Sequence, residues 1–190
     1  MDKTEKTKRV NNLLQYLYTI YPAVAELLIW IPWHINEEED AKIAYATRKE
    51  IFLCKKFFEM AAKEQLWVLL HEMWHVALRH VDRARRANAN IFLANLAMDV
   101  LINQTLHEVS RREAGWLAPP EGLIDLAWLE NQLGRLPKDW TQYDWYELYC
   151  YLLEHLPQAG EKDEGVVLVD GSYFGDPAGP PRRLKVEGAI

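Results

Sequence analysis

Along residues 10–30 the apolar side chains Leu13, Leu14, Leu17, Ile20, Val24, Leu27 and Leu28 recur at helical spacing, so a helical lead-in is predicted. Pro22 interrupts it, because proline lacks the amide hydrogen that a helix interior needs, and a kink or break is expected there. Ile31-Pro32-Trp33 and the acidic residues 37–40 read as loop. Residues 42–45 and 51–54 favour β-structure and flank Thr47-Arg48-Lys49-Glu50, which predicts a small hairpin. From about residue 61 to 81 no glycine or proline intervenes. Leu66, Val68, Leu69, Leu70, Met73, Trp74, Val76, Ala77 and Leu78 make this segment apolar on most sides, the pattern of a buried central helix.

The basic residues 79–86 end that helix, and Asn88 or Asn90 can cap a second one running to about residue 109. Its core face carries Ile91, Phe92, Leu96, Val100, Leu101 and Leu106. Pro119-Pro120-Glu121-Gly122 and Pro137 break the chain before a last helix over about residues 141–156. Beyond Pro157 glycine, proline and acidic residues dominate, with one apolar run at 166–169, so 158–190 reads as a mobile tail or a docking strand. The whole describes an α+β domain over residues 1–157, mostly helical with a small hairpin or sheet.

Composition narrows the function classes. With 22 basic against 28 acidic residues the net charge is −6, so no global positive field draws the chain onto nucleic acid or anionic membrane. The N-terminal residues are charged and lack the apolar core of a secretory signal, and no apolar run approaches the roughly 20 residues that span a bilayer. A cytoplasmic protein is expected, with reduced thiols. Cys54 and Cys150 are too few for a disulfide framework or an all-cysteine metal site. Histidine is the unusual residue: His71, His75 and His80 crowd into ten positions.

These positions spell His71-Glu72-Met73-Trp74-His75, the HExxH pattern, on the central helix. Residues four apart on a helix are displaced by about 40° and about 6 Å, so both imidazoles reach one Zn²⁺. Glu72 lies about 100° around from His71, beside the metal and not on it, where a carboxylate can take a proton from the attacking water. Two buried histidines satisfied by ordinary hydrogen bonds, or a purely structural metal site, are the bland alternatives. A polar Glu between two histidines on so apolar a helix argues against the first, and the absence of cysteine ligands against the second.

Two candidates remain for a third ligand. His80 sits nine residues past His71, which on an unbroken helix puts it about 180° away and roughly 13 Å along the axis. A break after Ala77 would be needed to bring it back, yet Leu78 and Arg79 stand where a glycine would permit the turn. Asp99 belongs to a stripe, Asn95, Asp99 and Asn103, spaced four apart on the second helix. From spacing alone that stripe is equally a solvated face. A carboxylate from the following helix is the arrangement of gluzincin-like and aspzincin-like folds, which favours Asp99 over His80.

The segments HEMWHVALRH (71–80) and NLAMDVLIN (95–103) resemble the putative metallopeptidase domain of a bacterial and phage family whose longer members carry a von Willebrand factor A-like domain after it. That family shows an HExxHxxxxH helix, a helix with an N-x-A-x-D-x-x-I-N pattern, a Pro-Gly segment and a final helix carrying a tyrosine. This chain supplies His71, Glu72, His75 and His80, then Asn95, Ala97, Asp99, Ile102 and Asn103, then Pro119 to Gly122, then Tyr149. It departs at Ala94, where tryptophan is common, and at Arg79, where glycine is. The resemblance implies a zincin-like fold whose edge strand aligns a peptide.

The expected activity is zinc-dependent hydrolysis of a peptide or protein substrate, with metal on His71, His75 and Asp99 (His80 the alternative) and Glu72 as the base. A non-catalytic zinc-binding regulatory or interaction module is the second reading, and a protein partner is compatible with either. A nucleic-acid-associated protein using Arg83, Arg85 and Arg86 is the third, disfavoured by the net charge. His107 continues the stripe by four and is expected at the surface.

Overall fold

The computed structural model describes residues 1–112 and 115–156, so the expected tail at 158–190 lies outside the described residues. Helix α1 (Lys3–Ile20) begins at Asp2, whose carboxylate accepts from the Glu5 amide while the Glu5 side chain accepts from the Asp2 amide. The chain breaks at Tyr21 and restarts as α2 (Pro22–Ile29), with proline in the first turn, where its missing donor costs nothing. The lead-in is therefore two helices.

A three-stranded mixed sheet follows, formed by β1 (Trp33–Asn36), β2 (Ala44–Ala46) and β3 (Ile51–Cys54) in the order β1-β3-β2. The expected hairpin is the antiparallel pair of β2 and β3, with Ala44 opposite Leu53. Strand β1 corrects the reading of Trp33 as loop. It pairs in parallel with β3, Trp33 opposite Ile51, and such a distant pairing leaves no local turn signal.

Helix α3 (Ala62–Ala77) lies against β2 and carries the HExxH residues. The central helix was expected to reach residue 81, but it stops after Ala77, and α4 (His80–Arg86) starts in a new direction. Arg79 makes the turn in the left-handed region, at φ 55° and ψ 41°, a conformation usually left to glycine. Its guanidinium is tied down: Asp82 accepts from Arg79 at 2.9 Å and also from Arg48 in the β2–β3 turn.

Helix α5 (Ile91–Arg112) is capped by Asn90, whose side chain accepts from the amides of Phe92 and Leu93. A short α6 (Leu126–Leu133), unforeseen from sequence, precedes α7 (Trp145–His155), which starts at the capping residue Asp144. The Asn90 amide donates to the Tyr149 hydroxyl and so pins α7 to the start of α5.

Two apolar cores result. The first joins Val10, Leu17 and Leu28 of α1 and α2 to Ile51 and Leu53 of the sheet and to Leu66, Trp67 and Leu70 of α3. The second joins Val81 of α4, Leu129 of α6, and Leu148 and Leu152 of α7. Helix α5 serves both, giving Ile102 and Leu106 to the first and Ala97 and Val100 to the second. Each fully buried aliphatic side chain contributes roughly 1.5–3 kcal/mol, so both cores hold α5 against α3, and the polar stripe of α5 is trapped at their seam.

Candidate metal centre

At that seam His71 and His75 of α3 face Asp99 of α5. The Nε2 atoms of the two histidines are 2.9 Å apart, and Asp99 Oδ1 lies 3.0 Å from His75 Nε2 and 3.5 Å from His71 Nε2. All three residues are 1% exposed. Four-residue spacing on α3 makes the histidines neighbours, and the packing of α5 across α3 brings in the carboxylate.

The donor set fits a metal ion. Two imidazole nitrogens and one carboxylate oxygen match the three-protein-ligand zinc sites that keep a further position open. Donors about 2.0–2.2 Å from a common tetrahedral ion lie about 3.3 Å from one another, close to the spacing found here. Asp99 Oδ1 is buried and accepts no hydrogen bond among the described residues, although it faces both imidazoles. A buried carboxylate oxygen in that condition is costly unless a cation meets it. His71, His75 and Asp99 could together hold one metal ion.

The supporting contacts are side-chain amides. Asn95 Nδ2 donates to Asp99 Oδ2 at 2.7 Å, while Asn103 Oδ1 lies 2.7 Å from His71 Nδ1 and accepts from Trp67 Nε1 at 3.2 Å. Asn95 and Asn103 are 4% and 0% exposed, so the stripe is not a solvated face. Spacing alone gives neither asparagine a role. The available signal was their four-residue register with Asp99 on a helix otherwise apolar.

The turn at Arg79 folds His80 back, against the expectation from a continuous helix. Its Nδ1 lies 3.1 Å from His75 Nδ1, on the side of that ring away from the Nε2 cluster, so His80 backs His75 and does not join the three donors. Burial, then His75, Arg83 and His71, push its pKa down to about 2 and keep it neutral. His80 also lines a cavity of about 260 Å³ with Trp74, Arg83, Met98 and Trp145.

Glu72 is fully buried on α3, within electrostatic reach of Lys42 before β2 and Cys54 at the end of β3. Burial pulls the Lys42 ammonium down, opposed by Glu39, Cys54 and Glu72. His107 is not the exposed residue expected. It is partly buried, 3.1 Å from Asp125 Oδ2, and its ring meets the Trp67 ring edge-on.

The model of a family described as a putative metallopeptidase domain matches residues 5–171. The chain belongs to that family. No match was found among curated proteins or among solved structures. The matched region includes α3 and α5, and with them every residue of the cluster. Among the described residues no helix is long and apolar enough to cross a membrane.

Proposed function

We propose that this chain is a zinc-dependent peptidase-like hydrolase. The observation that carries the reading is the convergence of His71 Nε2, His75 Nε2 and Asp99 Oδ1 on one buried point, beside a helical Glu72. His71 and His75 would hold Zn²⁺ through Nε2 and Asp99 through Oδ1. When bound, the ion supplies Lewis acidity, which polarises a carbonyl and makes water more acidic. The Glu72 carboxylate takes the proton from the attacking water as its oxygen bonds to the peptide carbon. Glu72 then returns that proton to the nitrogen as the carbon–nitrogen bond breaks.

The test is Glu72→Gln, measured for metal content and for hydrolysis of a peptide library. Full metal with turnover lost is expected, and wild-type turnover by that variant would sink the mechanism. One observation favours a second reading, a zinc-binding module without hydrolysis: His71, Glu72, His75 and Asp99 are all exposed by 1% or less. That reading expects bound metal in the wild type and no cleavage of any peptide.

A further inference from the structure

We propose that Asn103 is a positioning residue that fixes His71 as its Nδ1–H tautomer and so aims the Nε2 lone pair at Asp99 and His75. Trp67 Nε1 can only donate, and it faces Asn103 Oδ1 at 3.2 Å. The Ile124 carbonyl can only accept, and it takes the Asn103 Nδ2 hydrogen at 2.8 Å. A donor-only group on one side and an acceptor-only group on the other leave the amide one orientation, with oxygen toward α3. Oδ1 then lies 2.7 Å from His71 Nδ1, and an amide oxygen cannot donate. The hydrogen of that contact therefore belongs to His71 Nδ1, and in the neutral ring Nε2 carries the lone pair. The four residues sit on α3, on α5 and just before α6, so the tautomer is set by tertiary packing.

The amide also excludes a competing geometry. His71 turned over would take its Nδ1 hydrogen away from Asn103 Oδ1 and leave that oxygen to Trp67, at a residue that is 0% exposed. Partners of this kind fix ring orientation at metal-ligating histidines, and their removal typically costs about 10–100-fold in metal affinity.

The consequence for metal rests on the function proposed above, but the tautomer does not, and the experiment separates the two. Long-range ¹H–¹⁵N correlation on metal-free protein, about two pH units above the ordinary histidine pKa of about 6.5, reads the His71 tautomer directly. Nδ1–H is expected in the wild type and in Asn103→Asp, which keeps the acceptor. Nε2–H in the wild type overturns the proposal. Asn103→Leu is expected to populate both tautomers and to bind Zn²⁺ about 10–100-fold more weakly in chelator competition, with Asn103→Asp nearer the wild type. A folded Asn103→Leu that keeps both the tautomer and the affinity overturns it too. If Asn103→Leu does not fold, the wild type and Asn103→Asp decide. A wild type that shows Nδ1–H yet binds no zinc supports the role of Asn103 and defeats the metal reading alone.

Discussion

Asn95 holds Asp99 by one oxygen and leaves the other to face His71 and His75. The 2.7 Å bond from Asn95 Nδ2 goes to Oδ2, one helical turn along α5, and Oδ1 points at the two imidazoles. A hydrogen bond to a carboxylate is worth about 1.5–3 kcal/mol, enough to keep the side chain in one rotamer. Asn95→Ala is expected to weaken metal binding about tenfold or more, measured by chelator competition. Unchanged affinity would mean that packing alone orients Asp99.

The three donors and His80 divide into two classes with different expected losses. His71→Ala, His75→Ala and Asp99→Ala each remove a donor from a three-donor set, and stoichiometric metal should be lost in elemental analysis. His80 meets His75 at Nδ1, the ring nitrogen away from the three donors, so His80→Ala should retain metal with reduced affinity, in the range of about 10–100-fold. Loss of metal from His80→Ala but not from Asp99→Ala would reverse the assignment.

The pairing of His71 with His75 was legible because four-residue spacing on a helix is local geometry. Asp99 was legible only as one of two readings of a stripe, since a polar row on an apolar helix describes a solvated face and a buried site equally well. What separates them is the second core: Ala97, Val100 and Leu96 are covered by α4, α6 and α7, and no sequence pattern in α5 announces those partners. The position of His80 is hidden from the sequence for another reason. Its placement turns on one residue, Arg79, adopting a backbone conformation that its side chain disfavours, and the compensating Asp82 contacts include Arg48, far away in sequence.

That turn gives a stability test. A non-glycine residue in the left-handed region costs about 1–2 kcal/mol, while the half-exposed Arg79–Asp82 pair returns a fraction of this. Arg79→Gly should be neutral or stabilising by up to about 1 kcal/mol in urea denaturation. Arg79→Val, β-branched at the same φ, should destabilise by about 1–2 kcal/mol. A stability loss from Arg79→Gly as large as that from Arg79→Val would show that the guanidinium contacts, not the backbone, hold α4 in place.

Cys54 provides a pH test away from the three donors. It is fully buried, and burial, then the Glu39 charge, with Lys42 opposing and Glu72 adding, push its pKa up to about 12. In the unfolded chain a thiol ionises near 8.5. Between about pH 8.5 and 12 the native state therefore holds a proton that the unfolded state has lost, and stability falls as pH rises through that window. Lysines and tyrosines titrate in the same range, so the signal is the difference between wild type and Cys54→Ala: the wild-type stability should fall more steeply with pH. The same burial protects the thiol from reagents that attack the thiolate. At neutral pH one thiol, the partly exposed Cys150, should react with a disulfide reagent in the native protein, and both should react in denaturant. Rapid labelling of Cys54 in the native state would mean that the end of β3, beside Glu72, opens to solvent far more readily than its packing suggests.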